Sequence, residues 1–182
     1  HQGVIAFVSG CAYKTLADIL RFAESTGRPP LVVVCDHLED PYNLGAVIRS
    51  AEVAGAHGVI IPNRRGAGLT PTAVKASAGA ALHLPVARCA NVVSAIKELK
   101  DAGLWVYGAD AGGDTALYDA DFKGPSAIVM GSEGSGLSRL VRENCDFIVS
   151  IPMLGKINSL NVSAATAVIL FETVRQRTCR SK

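Results

Sequence analysis

Aromatic residues, net charge and long apolar runs are all scarce in this 182-residue sequence. Aromatic side chains make up only 5% of it, so its core must be packed by the valine, isoleucine, leucine and alanine that dominate a hydrophobic fraction of 49%. Such aliphatic residues are abundant in parallel strands that are buried on both faces. The longest apolar stretch, 164–171, is shorter than the roughly 20 residues of a membrane-spanning helix, so we expect one water-soluble domain that makes no membrane contact.

The net charge, +2, neither requires nor excludes a nucleic-acid partner. Phosphate binding depends instead on local clusters of basic residues. Two such groups are Arg64–Arg65 and the basic residues between 175 and 182, and each is equally consistent with a solvated surface or tail.

The five cysteines lie far apart and form no C-x-x-C pair, which argues against zinc or another bound metal. Their odd number favours reduced thiols in a cytoplasmic protein. Cys35 and Cys145, which stand next to strand-like runs, are interpreted as small core residues.

Short β-branched runs alternate with helical patterns along the chain. The strand-like runs are 1–8, 31–35, 58–62, 82–87, 104–108, 127–130 and 147–151. Apolar residues at helical spacing predict helices over 15–25, 44–54, 92–99, 137–141 and 160–177. Strands and helices that alternate at this spacing predict a mostly parallel sheet covered by helices on both faces.

The last predicted helix differs from the others because its apolar residues cover almost the whole circumference up to Glu172. A helix that is hydrophobic all round is buried. In a domain of this size, burial on every side favours contact with a second subunit, although packing inside one chain would also explain it.

Polar and glycine-rich segments interrupt the apolar chain at three places, each after a predicted strand. The first, Asn43–Arg49, opens a helix beyond the strand at 31–35, where ligands bind in open parallel sheets. Asn43 is expected to cap that helix. Arg49 lies in an otherwise apolar part of it, so its guanidinium is either paired internally or directed at a phosphate or carboxylate.

The second segment, Gly131–Gly136, has three glycines in six residues, which permit a positive φ and close approach of a ligand to the backbone. Its glycine order differs from the dinucleotide-binding fingerprint, and it lacks the lysine of a phosphate-binding loop. Glu133 within it would repel a phosphate. The segment therefore suits a neutral or cationic ligand, although a plain glycine turn would also explain it.

The third segment, Ser159–Asn161, lies at the start of the last helix. Polar residues are dense there, and the four are Asn158, Ser159, Asn161 and Ser163. Capping a helix needs one or two of them. The surplus favours a binding role for this segment.

Together the three segments resemble the three motifs of the SpoU/TrmH-type RNA 2′-O-ribose methyltransferases, within the knotted SPOUT class. The matching strings are NLGAVIRSA from residue 43, VMGSEGSGL from residue 129 and IPMLGKINSLNVSAA from residue 151. They occur in the family's order, each after a strand, and the similarity spans nearly the whole chain. Among subfamilies, the sequence is most similar to the enzymes that modify guanosine ribose in 23S ribosomal RNA.

The resemblance implies an α/β fold with a mostly parallel sheet flanked by helices and a C-terminal trefoil knot, which nothing in the periodicity itself indicates. It also implies a division of the chain. Residues 1–30 would be a lead-in strand and helix that follow an absent N-terminal RNA-binding domain, 31–178 the catalytic domain, and 179–182 a tail.

The resemblance further implies that S-adenosyl-L-methionine binds against the second and third segments. The residues carried over as cofactor-binding are Met130, Gly131, Gly136, Ile151 and Leu160. Those carried over as catalytic are Asn43, Arg49, Glu133, Ser159 and Asn161. A guanidinium is a poor base because its pKa exceeds about 12, so anchoring of an RNA phosphate is the role that we prefer for the arginine.

The implied partners are RNA, with 23S ribosomal RNA as the expected substrate, and a second copy of the chain bound through the C-terminal helix. Transfer RNA as substrate and a role in antibiotic resistance stay open at this point. So does a relative that binds RNA and cofactor without catalysis, although the full set of polar residues argues against it. A Rossmann-type dehydrogenase is disfavoured by the glycine order.

Overall fold

A computed structural model of the chain describes residues 11–132 and 134–179. Its strands are β1 (Leu31–Cys35), β2 (Gly58–Pro62), β3 (Val86–Cys89), β4 (Trp105–Ala109), β5 (Thr115–Ala116), β6 (Ser126–Met130) and β7 (Phe147–Ser150). Its α-helices are α1 (Leu16–Thr26), α2 (Pro41–Val53), α3 (Pro71–Ala76), α4 (Val92–Asp101), α5 (Arg139–Asn144) and α6 (Val162–Thr178). Within the described residues these strands form one sheet in the order β3-β2-β1-β6-β4-β7-β5, and every neighbouring pair is parallel.

Both faces of the sheet are covered, as the continuous apolar strands predict. In β1, Val33 and Cys35 pack towards α2, α3 and α6, whereas Val32 and Val34 pack towards α1, α4 and α5. All five residues of β1 are buried, which is the pattern of a central parallel strand. The predicted α/β fold with a parallel sheet is confirmed. The trefoil knot stays a prediction, and the lead-in strand at 1–8 lies outside the described residues.

A buried histidine joins α1 to the first two strands. His57, directly before β2, accepts a hydrogen bond at Nδ1 from the Leu31 backbone N–H (3.0 Å), and its Nε2 lies 2.9 Å from Thr26 Oγ1. Burial, together with the nearby charges of Arg28 and Arg177, lowers the pKa of His57 from 6.5 to about 4. The ring is therefore neutral at physiological pH, with its proton on Nε2 and directed at the threonine.

The predicted strand at 82–87 is wrong in its first half. Residues Ala80–Leu82 form a 3₁₀ turn, entered through Gly79 at a φ of +89°, and the strand begins only at Val86. Pro85, which has no backbone N–H to donate, separates the two. The short elements α3 and β5 were not predicted at all, because neither is long enough to show a period.

The alternative that the last helix is buried on every side inside one chain is wrong, and its contact with a second subunit stays a prediction. Val162, Ile169 and Leu170 of α6 are buried against the sheet and α2. On the opposite side Ala164 is exposed, and 48% of Phe171 is accessible. Composition made the helix look uniformly apolar, but one sheet face covers only one side of it.

Candidate functional site

A cavity of about 530 Å³ lies at the carboxyl ends of β4, β6 and β7. Part of its wall is formed by Ala109 and Met130, the last residues of β4 and β6, and by Val149, one residue before the end of β7. Ligands of open parallel sheets bind at this edge, and the volume suits a small molecule. Seven of the predicted site residues line the cavity: Met130, Gly131, Gly136, Ile151, Ser159, Leu160 and Asn161.

The second segment forms a tight loop over the cavity. The backbone groups of Ser132 and Gly136 exchange two hydrogen bonds, of 3.0 and 3.1 Å, and Gly136 has a φ of +67°. A Cβ atom at Gly131 would lie 2.3 Å from the carbonyl carbon of Gly136, so only glycine fits there. The loop therefore brings bare backbone to the cavity. Glu133 lies outside the described residues, and its catalytic role stays a prediction.

The third segment closes the cavity from the side of α6. Asn161 caps this helix, because its side-chain oxygen accepts hydrogen bonds from the N–H groups of Ser163 (3.0 Å) and Ala164 (3.4 Å). Asn158 and Ser159 are exposed and line the cavity. The polar surplus seen in the sequence is thus divided between one cap and the wall of the cavity.

Asn43 does not cap its helix, contrary to the sequence-based expectation. The cap of α2 is Asp40, whose carboxylate accepts from the Tyr42 N–H at 3.0 Å, and Pro41 takes the first helical position. Asn43 lies inside the helix, only 9% exposed, and its Oδ1 accepts from Asn161 Nδ2 at 3.1 Å. This bond joins the first and third segments across 118 residues of sequence.

Arg49 is placed differently from the other predicted site residues. It is exposed on α2 and does not belong to the described residues that line the cavity. Tyr42 and Val53, seven residues before it and four after it, lie on the same side of the helix and are 67% and 63% exposed. Arg49 therefore stands in an accessible, largely apolar strip on the outer side of α2.

Asp110 is a cavity residue that the sequence reasoning missed. It follows β4, and its Oδ1 accepts from the Gly112 N–H (2.8 Å) and pairs with Arg142 Nη1 (2.9 Å). Its Oδ2 lies 3.0 Å from the position that a Cβ of Gly136 would take. The available signal was its place directly after a predicted strand, because the carboxyl ends of parallel strands meet at one edge.

A buried carboxylate, Asp36, supports the glycine loop from the side of the sheet. Asp36, directly after β1, accepts from the Ser138 N–H at 2.8 Å and lies 2.7 Å from His37 Nδ1. Ser138 is the N-cap residue of α5, which follows the glycine loop. Asp36 thereby ties the far end of that loop to β1.

Gly45, in the middle of the first segment, has a packing role. A Cβ atom there would lie 2.5 Å from the Ala73 carbonyl oxygen and 2.5 Å from the Ala76 Cβ, so α2 and α3 meet too closely for any other residue. The glycine of this segment serves helix packing, whereas the asparagine serves the link to α6.

Cys35 is a buried core residue, and Cys145 packs, partly buried, against the core on the other face of the sheet. Burial raises the pKa of the Cys35 thiol to about 12 and that of the Cys145 thiol to about 12, so both are protonated at neutral pH and neither is a nucleophile. Among the described residues there is no group of three or more histidine, cysteine, aspartate or glutamate side chains that could hold a metal ion. No helix in that part of the chain is long and apolar enough to cross a membrane.

Comparison with known proteins identifies relatives of this chain. The sequence pattern of the SpoU rRNA Methylase family matches residues 30–171. The putative TrmH family tRNA/rRNA methyltransferase YacO of Bacillus subtilis is 46% identical over 97% of this chain and 71% of its own length.

Solved structures agree with these matches. The SpoU methyltransferase AviRb from Streptomyces viridochromogenes, in complex with AdoMet, superposes with a TM-score of 0.76 at 38% identity, over 82% of this chain and 61% of that one. The AdoMet-bound rRNA methyltransferase from Sinorhizobium meliloti superposes with a TM-score of 0.80 at 30% identity, over 93% of this chain and 62% of that one. The present chain thus spans less than two thirds of both solved chains.

Proposed function

Because the chain belongs to the SpoU rRNA methylase family, a family of RNA methyltransferases that use S-adenosyl-L-methionine, we propose that it methylates a ribose 2′-hydroxyl in RNA. The observation that carries the proposal is the meeting of all three motif segments at one place. The glycine loop and the third segment line the cavity, and the Asn43–Asn161 hydrogen bond of 3.1 Å brings in the first. Packing of the core alone does not require segments so far apart in the sequence to come together at one cavity.

The cavity fits S-adenosyl-L-methionine in size and charge. It measures about 530 Å³, its described lining contains no lysine or arginine, and Asp110 is an acid within it. Such a wall repels a nucleotide phosphate and favours a cationic sulfonium. Backbone groups at Met130, Gly131 and Gly136 and the apolar side chains of Ile151 and Leu160 would hold the cofactor. Asp110 Oδ2 would accept from one of its hydroxyl or ammonium groups.

Bound there, S-adenosyl-L-methionine supplies an electrophilic methyl group. The chain's own residues orient the acceptor, because a ribose hydroxyl is a weak nucleophile that needs alignment and proton removal. Asn161 is held by its capping bonds and by Asn43, so its position at the cavity is rigid. Ser159, exposed at the same wall, would support the ribose, and Arg49 would anchor a phosphate of the RNA.

We also propose that the chain acts as a homodimer through α2 and α6. Both helices pack on the same sheet face and against each other, so their outward sides face solvent together. This outer surface carries Tyr42 and Val53 from α2 and Phe171 from α6, which are 67%, 63% and 48% exposed. Such an exposed apolar surface suits a two-fold interface.

The dimer also gives Arg49 a place in the reaction. Arg49 lies within this apolar surface and outside the cavity lining of its own chain. A two-fold partner would bring each Arg49 towards the other subunit's cavity.

The substrate that we propose is a guanosine of 23S ribosomal RNA, on the similarity of the motif strings, with transfer RNA as the alternative. The name of the Bacillus relative covers rRNA and tRNA without specifying either. Methyl transfer from labelled S-adenosyl-L-methionine to 23S transcripts and to bulk tRNA, followed by mapping of the alkali-resistant linkage, tests the reaction and its substrate. Label in neither RNA refutes the proposal.

The Arg49→Ala variant separates the roles within the site. It is expected to lower the rate at least a hundredfold while cofactor affinity stays within about threefold, because Arg49 lies outside the described cavity lining. Lys97, exposed on α4 of the opposite face, provides the control substitution Lys97→Ala. Equal losses of rate and cofactor affinity would contradict the role of Arg49 as an RNA anchor.

A further inference from the structure

A group of exposed basic residues lies on the side of the sheet formed by β2 and β3. The group consists of Lys14, Arg64, Arg65 and Arg88, and we call it the basic edge. In the part of the chain that the structure describes, none of the four makes an ion pair. A concentration of cations without acidic partners attracts anions.

Arg88 is held rigidly by a neutral partner. Its Nη2 donates to the Tyr13 hydroxyl at 2.8 Å, and its guanidinium carbon lies 3.9 Å from the centre of the Tyr13 ring. The same hydroxyl accepts from the Leu69 N–H at 2.8 Å. A Cβ atom at Gly68 would lie 2.9 Å from that hydroxyl, so the loop after β2 packs tightly onto this pair. The guanidinium is thus preorganised while its full charge remains available to a ligand.

The loop that carries Arg64 and Arg65 is anchored at both ends. The Asn63 N–H donates to the Cys89 carbonyl at 2.8 Å, which places the first of the two arginines beside the end of β3. The Ala67 N–H donates to the Leu38 carbonyl at 2.7 Å, in the turn that leads from β1 into α2. The two arginines therefore project from a fixed loop between Arg88 and the first motif segment.

Arg88 of the basic edge lies at the same edge and on the same face of the sheet as the proposed active site, whereas Lys14, in register with Ala87, lies towards the other face. Arg88 pairs in register with Ile61, whose side chain packs in the core beneath α2 and α6. β3 is separated from β6, which ends at the cavity, by three strand spacings. At about 4.8 Å per spacing the lateral distance is roughly 14 Å, which a few nucleotides of RNA bridge.

We propose that the basic edge binds the sugar–phosphate backbone of the substrate RNA next to the methylated nucleotide. This inference rests on the proposed function, since it names a further part of the same substrate site. Guanidinium groups pair with phosphate through two parallel hydrogen bonds, and such contacts position RNA without reading its sequence. The pairing falls with rising salt, because each neutralised phosphate releases counterions.

The test uses a variant that removes two charges and leaves the loop intact. Arg64→Gln/Arg65→Asn suits this purpose, because Arg65 has a φ of +57° and asparagine tolerates that conformation. The matched control is Lys97→Gln/Lys123→Gln, which removes two exposed cations away from this edge. The two variants are compared with the wild-type chain for RNA affinity by filter binding, the salt dependence of that affinity, KM for 23S transcripts and kcat.

The loop variant is expected to bind RNA about tenfold more weakly and to raise KM for RNA by a similar factor, with kcat and cofactor affinity within about twofold. The slope of log affinity against log salt should fall by roughly 1 to 2, since each single-strand phosphate contributes about 0.7. Arg88→Ala should show a smaller change in the same direction.

The outcomes distinguish this inference from the function that it rests on. If the wild type methylates RNA and the loop variant matches the control in KM and salt slope, the RNA-binding role of the basic edge is refuted and the proposed function is not. If the wild type binds RNA with the arginine-dependent slope but transfers no methyl group to 23S RNA or tRNA, the proposed function fails and the basic edge stands. If the loop variant melts at the same temperature as the wild type, a change in its KM for RNA or in its salt slope reports on RNA binding and not on unfolding.

Discussion

The glycine at the base of the glycine loop, Gly131, offers the sharpest test of the proposed site. In Gly131→Ala the new Cβ would lie 2.3 Å from the Gly136 carbonyl carbon, 2.5 Å from its oxygen and 2.5 Å from the Leu137 nitrogen. All three are backbone atoms, so no side-chain rotation relieves the clash. To bring the new Cβ to an ordinary contact distance of about 3.5 Å from these atoms, the two sides of the loop must move apart by roughly 1 Å.

That displacement has two measurable consequences. Overpacking of this kind costs about 1–3 kcal/mol. In a chain of this size it lowers the melting temperature by roughly 3–10 °C. The shift also loosens the two hydrogen bonds between Ser132 and Gly136, which hold the backbone of the loop against the cavity. We therefore expect the affinity for S-adenosyl-L-methionine to fall at least tenfold.

Two other glycines serve as controls in the same assays, thermal melting and titration calorimetry with the cofactor. Gly124→Ala meets no atom within 4 Å and no left-handed backbone, so it should match the wild type. Gly134→Ala also meets open space but has a φ of +96°, so it measures backbone strain without the clash. If Gly131→Ala melts within 1 °C of Gly124→Ala and binds cofactor with wild-type affinity, the assigned loop geometry is refuted.

Three further predictions concern single side chains. Asp110→Asn should weaken S-adenosyl-L-methionine binding about tenfold in calorimetry, because the acid faces a cationic ligand; unchanged affinity would remove Asp110 from the site. Asn161→Ala, which loses a helix cap and the partner of Asn43, should cost about 1–3 kcal/mol in urea unfolding and abolish most methyl transfer, whereas Asn43→Ala should cost less. The lowered pKa of His57, about 4 against 6.5, means that the unfolded chain binds more protons between these values, so the free energy of unfolding should drop by up to about 3 kcal/mol as the pH falls from 7 to 4. His57→Gln should flatten that part of the urea-stability profile, and an unchanged slope would contradict the assignment.

Much of the fold followed from local patterns. The apolar run of β1 and the 3.6-residue apolar spacing of α2 and α4 extend along the whole of each element. They therefore predict well whether an element is a strand or a helix and in which order the elements follow. The shorter elements were not predicted from the sequence, for the opposite reason. β5 has two residues and α3 has six, and neither shows a period.

The site residues likewise divide into those that a local sequence pattern indicates and those that only the fold brings into place. The glycines of the second segment were found because close backbone approach demands glycine at Gly131. Asp110 was missed because a single aspartate in a loop carries no pattern, and its role comes from a salt bridge to Arg142 and from the neighbouring glycine loop. The cap of α2 was misplaced from Asp40 to Asn43, since both residue types cap helices and only Pro41 at the first position distinguishes them.

By itself, the sequence determined that this chain forms a parallel α/β sheet and carries the three motifs of its family, because periodicity and motif order are local properties of the chain. Only the tertiary structure decided what the motif residues contact. Asn43 meets Asn161, 118 residues later in the chain, because α6 packs against α2. Arg49 faces outwards, and α6 keeps an apolar side exposed, because a sheet face can cover only one side of each helix. Those long-range contacts arise from packing, which no local pattern encodes.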